Sequence, residues 1–121
     1  MTVFRWLIAD GFIPSTSQGQ LESHESLCIV NPHSNDASVQ IKVFFEDRDP
    51  IEGIAVVCPS GRTRHIRVDT LTGSDGRTVP RGVPYAMELT CPLEVGVQLS
   101  RLDSTQSQLA LMTVSGVRVS T

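Results

Sequence analysis

A chain of 121 residues, 40% hydrophobic and 19% charged, is the size of one domain and holds enough apolar material for a single core without metals or disulfides. Ten Lys and Arg against thirteen Asp and Glu leave a formal charge of −3, which opposes broad, sequence-independent attraction to nucleic acid or anionic membrane. No apolar stretch reaches the ~20 residues of a membrane helix, and Asp10 interrupts the opening "MTVFRWLIADGF" where a secretion signal would continue, so a soluble, cytoplasmic protein is expected.

Taken in chain order, the predicted elements are short and alternate with a period of two. Residues 2–9 and 25–30 read as strands, separated by the turn-rich "GFIPSTSQGQ". After "NPHSND", the run "VQIKVFF" puts Val39, Ile41, Val43 and Phe45 on one face and Gln40 and Lys42 on the other. "EDRDP" then leads to "GIAVVC", with Ile54, Val56 and Cys58 aligned, and "PSG" leads to a strand over 64–68. Beyond "TGSDG" and "VPRGVP", "YAMELTC" aligns Tyr85, Met87 and Leu89, and "EVGVQLS" aligns Val95, Val97 and Leu99. A last strand is predicted over 108–115. The nearest approach to a helix, "DSTQSQLALM", lacks a 3.6-residue period. Seven or eight strands at this spacing predict an all-β sandwich or barrel in one domain, residues 1–121.

The conspicuous stretch is "PSGRTRHIRVD", which packs Arg62, Arg64, His65 and Arg67 into six positions of an acidic chain. In a strand, Ile66 and Val68 face one way and His65 and Arg67 the other, while Arg62 and Arg64 prolong the Ile66 line past the core. Guanidinium groups at such a rim suit an anion or a polyhydroxyl ligand. They suit a subunit interface equally, and charges on an edge strand that discourage aggregation are the bland alternative.

Other candidates carry less. His24 and Glu25 are adjacent and so face opposite sides of a strand. A metal site from His24, His65 and a carboxylate would need three convergent groups, and no spacing motif supports one, so no metal is expected. His33 falls in a turn. Arg101 and Asp103 share a face, as an ion pair or a rim contact. Trp6 is a core anchor or a sugar-stacking platform, core packing being the commoner role. Cys28, Cys58 and Cys91 are an odd set without C-x-x-C spacing and read as unpaired, buried and reduced. No nucleophile elbow, phosphate loop, zinc-protease or dinucleotide motif is present, so neither a cofactor nor an enzyme is expected.

Four blocks in order, "W-x-I-A-D-G-F-I-P", "S-H-E-S-L-C-I-V-N", "R-T-R-H-I-R" and "S-R-L-D-S-T-Q", resemble the sensory rhodopsin transducer family from about Trp6 to Thr113. These are small soluble bacterial proteins, represented by the partner of a cyanobacterial sensory rhodopsin. The resemblance implies a single-domain antiparallel β-sandwich, here of about eight short strands, assembled into a homotetramer. It also implies a light signal relayed from a membrane-embedded rhodopsin. Contact with DNA has been proposed for the representative, and sugars have been suggested as ligands of the wider superfamily. Trp6, His24, Glu25, Arg62, His65, Arg67, Arg101 and Asp103 match family-motif positions. Asp10 and Arg64 stand where the family pattern has glutamate and lysine, which preserves charge, and the end "VSGVRVST" diverges from it.

The leading functional expectation is therefore a non-enzymatic, oligomeric binding module for a small polar molecule such as a carbohydrate. Arg62, Arg64, His65 and Arg67 would be donors, Glu25 an acceptor and Trp6 a stacking surface. The alternatives are a rhodopsin adaptor, a DNA-binding regulator, which the acidic balance opposes, and a sugar-processing enzyme, which would need a convergent acid–base pair.

Overall fold

Side-chain alternation sets the architecture. Nine strands form in the computed structural model, which describes residues 3–120. They are β1 (Phe4–Gly11), β2 (His24–Asn31), β3 (Ala37–Phe45), β4 (Ile51–Cys58), β5 (Arg62–Arg67), β6 (Tyr85–Cys91), β7 (Gly96–Asp103), β8 (Ala110–Ser115) and β9 (Val117–Val119). One sheet has five strands in the order β4-β3-β6-β1-β9, the other four in the order β5-β2-β7-β8. Every pairing is antiparallel. The expected antiparallel sandwich is what the chain forms.

Alternation along each strand supplies the core. Trp6 and Ile8 from β1, Val39, Ile41 and Val43 from β3, and Met87 and Leu89 from β6 meet Leu27 and Ile29 from β2 and Val97 and Leu99 from β7, all buried. Burying a side chain of this size stabilises the fold by about 1.5–3 kcal/mol. Outward neighbours such as Gln40 and Gln98 stay exposed, which pins the register, since a one-residue slip would exchange the two faces. The β3–β4 register shifts between Ile41 and Val43, where β4 inserts an extra residue and Gly53 takes a φ of 75°. That positive φ is the glycine-favouring conformation of a bulge.

Three boundaries differ from the sequence expectation. Val68 is buried but belongs to a 3₁₀ turn, Val68–Thr70, rather than to the end of β5. "DSTQSQLALM" divides into the last residue of β7, a turn and the start of β8. The short β9 lies in a tail that sequence periodicity does not mark, because three residues cannot display a period of two. Among the described residues no helix is long and apolar enough to cross a membrane.

One close approach controls an end of the sandwich. Gly11 pairs with Tyr85 across β1 and β6, and a Cβ there would stand 2.3 Å from Cζ of the Tyr85 ring. Gly11→Ala must displace a buried ring, so it is expected to destabilise the protein by about 1–3 kcal/mol, the usual cost of overpacking. Urea unfolding reads this as a lower midpoint with an unchanged m-value; an unchanged midpoint would show that the ring has room to move.

Candidate functional site

The basic stretch does not form one site. Strand β5 is an edge of the four-stranded sheet, paired with β2 alone, so Ile66 lies opposite Leu27 in the core line while Arg64 and Arg62 continue that line past it. Both arginines are exposed, and each donates from Nη1 to a nearby carbonyl, Arg64 to Val57 at 3.0 Å and Arg62 to Gly61 at 3.3 Å. On the opposite face, Arg67 lies beside Ser26 and His65 beside Cys28.

Arg67 is committed to carboxylates. Its Nε and Nη2 donate to both oxygens of Asp69 at 3.1 and 2.8 Å, and Nη2 also meets Glu22. Arg81, from the loop before β6, donates to the same two acids, to Glu22 at 2.9 Å and Asp69 at 3.1 Å. Its other amino group holds the carbonyls of Pro14 and Ser23. Two arginines and two acids thus close a neutral network over the loop between β1 and β2. Hydrogen bonding to Arg67, with the charge of Arg81 beside it, holds the Glu22 carboxyl below its usual range. Partial burial pushes the Asp69 carboxyl up, but the Arg67 hydrogen bond and both guanidinium charges outweigh it and leave a net lowering. Arg67 is raised in turn, first by Asp69 and then by Glu22. Sequence reading missed Arg81, Glu22 and Asp69, which are spread over 59 residues with no motif spacing.

A second network is buried between the sheets. Glu25 alternates inward with Leu27 and Ile29, so its carboxylate has 0% side-chain exposure. It accepts from the Tyr85 hydroxyl at 2.5 Å, the Phe12 backbone N–H at 3.0 Å and Arg101 Nε at 2.8 Å. Burial, followed by the adjacent Glu25 charge and hydrogen bond, drives the Tyr85 hydroxyl well above its ordinary pKa, so it stays a donor. Arg101 therefore pairs with Glu25 rather than with Asp103. Asp103 instead accepts from the Thr105 N–H at 2.9 Å and its hydroxyl at 2.6 Å, a local turn cap. Nη2 of Arg101 is buried without a hydrogen bond, 3.7 Å from Asp10. The signal for Tyr85 was in the sequence: a tyrosine on the same inward line as Met87 and Leu89 needs a buried acceptor, and Glu25 on its own inward line needs donors.

The remaining candidates scatter. Trp6 is 4% exposed and packs in the core, so its ring offers no stacking face. His24 is half-buried on the outer face and contacts the Glu22 carbonyl at 2.8 Å through Nδ1. His33 is half-buried in its turn and contacts the Glu94 carbonyl. All three cysteines are free, as expected, but Cys28 is half-buried on the outer face, whereas Cys58 and Cys91 are in the core. Among the described residues no three His, Cys, Asp or Glu side chains are placed to hold a metal ion.

What the outer face of the four-stranded sheet does assemble is a row across β5, β2, β7 and β8. His65 lies opposite Cys28, Cys28 opposite Gln98, and Gln98 opposite Ser115. With Thr63, Val30 and Gly96 they line an open groove of about 380 Å³. The next row, Arg67, Ser26, Ser100 and Thr113, is also polar, and the Ser100 and Thr113 hydroxyls are 3.2 Å apart. Imidazole, amide, thiol and hydroxyl groups side by side make a surface that can exchange several neutral hydrogen bonds with one small molecule. Of the nine residues expected to bind ligand, His65 alone lines this groove.

Two outcomes follow from the charge networks. Glu25→Ala leaves the Tyr85 hydroxyl, the Phe12 N–H and Arg101 unpaired between the sheets. A loss of roughly 3–5 kcal/mol is expected, as for breaking a buried pair, against less than about 0.5 kcal/mol for exposed Arg64→Ala; equal losses in chemical denaturation would refute this contrast. For the outer network, both acids have folded pKa values below their unfolded ones. Their stabilisation is therefore present above the ordinary carboxylate range and is lost as pH falls through the folded values. Melting curves of wild type and the Glu22→Gln/Asp69→Asn double variant should be separated at pH 7 and converge in acid. A constant separation at every pH would show that the network does not titrate with folding.

The family model of the Anabaena sensory rhodopsin transducer matches residues 2–117. A solved structure from Thermotoga maritima, "Thermotoga maritima 1070", is 35% identical, with a TM-score of 0.82 over 93% of this chain and 91% of its own. The Anabaena sensory rhodopsin transducer structure is 33% identical, with a TM-score of 0.72 over 86% of this chain and 91% of its own. No curated protein matches the chain. The match across nearly the whole sandwich, at this identity, places the chain in the sensory rhodopsin transducer family.

Proposed function

We propose that the protein is a non-enzymatic transducer module that receives a small polar ligand on the outer face of its four-stranded sheet and passes the signal on through protein contacts. One observation carries this reading: the row His65, Cys28, Gln98 and Ser115 along one groove. Its groups are uncharged or weakly basic donors and acceptors, which favours a polyhydroxyl molecule such as a sugar over a strongly anionic one. The arginines that would have recognised an anion are engaged elsewhere, Arg67 with its two acids and Arg62 and Arg64 with carbonyls. The same engagement, with a net charge of −3, speaks against DNA.

The protein contacts are assigned to the other edge of the sandwich. Leu111 is 81% exposed and Val117 64%, with Leu109 and Met112 also open, so β8 and β9 present apolar side chains along an uncharged run from Leu109 to Val117. An edge strand of this kind is a template for association. It supports a homo-oligomer, which we take to be the tetramer that the family resemblance implies. A second reading, an adaptor of a membrane-embedded sensory rhodopsin, is favoured by the 33% identity to the Anabaena transducer.

Thermal-shift titration against a panel of mono- and disaccharides tests the ligand. A sugar at about 100 times its Kd stabilises the folded state by about 2.7 kcal/mol, and Gln98→Ala and His65→Ala should remove the shift. Light scattering on the same samples should give a multiple of the 13.2 kDa protomer, lowered to one protomer by Leu111→Lys. If no sugar raises the melting temperature, or if the groove variants respond as wild type does, the ligand reading fails.

A further inference from the structure

The outer face of the five-stranded sheet carries a second, chemically different feature, at the end where β1 leaves the sheet. Phe44 on β3 lies opposite Ala86 on β6, and Ala9 of β1 adjoins them where the β1–β6 register shifts. Two alanines beside an aromatic ring make a trough, closed by Phe45, Glu46 and Pro84, with a volume of about 440 Å³. On the far side it is open, because β9 pairs only with Arg5–Leu7.

Charge defines what the trough can take. The cations around its rings are already neutralised. Lys42 lies 5.2 Å from the Phe44 centroid and bonds Glu52 at 3.0 Å, and Arg48 lies 5.5 Å from the Phe45 centroid and bonds Asp47 at 2.9 Å. The carboxylates at the rim are not. Glu46 is exposed at one wall, with Asp49 in the same turn, and among the described residues neither has a cation within salt-bridge distance. Asp10, which follows Ala9, is paired with Arg101 of the opposite sheet at 3.7 Å and does not line the trough. Glu46 therefore stands uncompensated at the wall of an apolar, aromatic floor, with Asp49 beside it in the same turn.

We infer that this trough is a docking site for a basic, partly apolar protein segment, with an aliphatic side chain over Ala9 and Ala86 and arginine or lysine at Glu46. A cation meeting the Glu46 carboxylate beside the Phe44 and Phe45 rings gains from ion pairing, with cation–π attraction where it reaches a ring. The loops of membrane proteins on the cytoplasmic side are enriched in lysine and arginine, so a segment of this chemistry is available to a transducer. The inference rests on the protein-contact half of the proposed function and is independent of the sugar groove, which lies on the opposite sheet.

The test uses the full chain and a short fluorescein-labelled peptide rich in arginine and leucine, with a matched peptide in which glutamate replaces arginine. Fluorescence anisotropy should show binding of the basic peptide, weakened by salt, and no binding of the acidic one. Glu46→Lys, which reverses the rim charge, and Ala86→Trp, which fills the trough, should each weaken binding by about tenfold or more, with circular dichroism confirming that both variants fold. Gln98→Ala, in the sugar groove, should bind the peptide as wild type does, so loss of sugar binding and loss of peptide binding are separable. Failure of the basic peptide to bind, equal binding of the acidic peptide, or indifference to Glu46→Lys overturns the inference. So does a fall in oligomer mass on Glu46→Lys, which would mean that a second copy of this chain occupies the trough.

Discussion

A carboxylate with no exposed surface must take every hydrogen bond from the chain itself, and Glu25 is that group here. Its three donors come from different places: Tyr85 in the opposing sheet, Phe12 just after β1, and Arg101 on the neighbouring strand. One side chain thereby joins the two sheets and fixes where the chain enters the long loop from β1 to β2. The far end of that loop is held by Ser23, whose hydroxyl accepts from the Ser104 N–H at 2.8 Å. Between these anchors the loop presents Glu22 to Arg67 and Arg81. The outer charge network therefore stands on the buried one. Gly11 belongs to the same constraint, since only its missing Cβ lets the Tyr85 ring lie where its hydroxyl reaches Glu25.

The strands were legible because each buried face leaves a local record, an apolar residue at every second position. Val39, Ile41 and Val43 announce β3 without reference to any other part of the chain. The candidate site left no such record. Glu22 meets Arg67 and Arg81, which lie 45 and 59 positions further along the chain, and the contact with Arg67 exists only once β5 has paired with β2. Likewise Cys28, His65, Gln98 and Ser115 share a groove through register across four strands, and no spacing within one strand encodes it. Arg101 shows the same limit from the other direction. Its sequence neighbour Asp103 shares its side of the strand, yet the buried Glu25 across the register pair is the stronger partner. A partially local exception was available in Tyr85 and Glu25, two polar groups on inward lines whose needs are complementary.

The concentration of positive charge in an acidic chain also has a physical resolution. Its four basic residues divide by strand parity and by distance from the core. Arg67 points outward, where Asp69 and Glu22 neutralise it; Arg62 and Arg64 overhang the end of the core line and fold back onto carbonyls. His65 is left in the groove, with neutral neighbours. The sequence cluster is thus three environments, and its summed charge never acts as one field.

The open sides of the sandwich complete this division. On one side β4 and β5 end the two sheets, and β5 carries Arg62 and Arg64, charges that make it costly for another strand to pair there. On the other side β8 and β9 end the sheets with Leu111, Met112 and Val117 exposed and no charge between Leu109 and Val117. Both sides expose unpaired strand edges, so their difference lies in side chains alone. An edge carrying free arginines and a largely apolar edge, whose one arginine, Arg118, is paired with Glu94, differ in what can associate with them. Copies or partners that approach the β8–β9 side gain from apolar burial, while the β4–β5 side leaves the His65 end of the groove open to solvent.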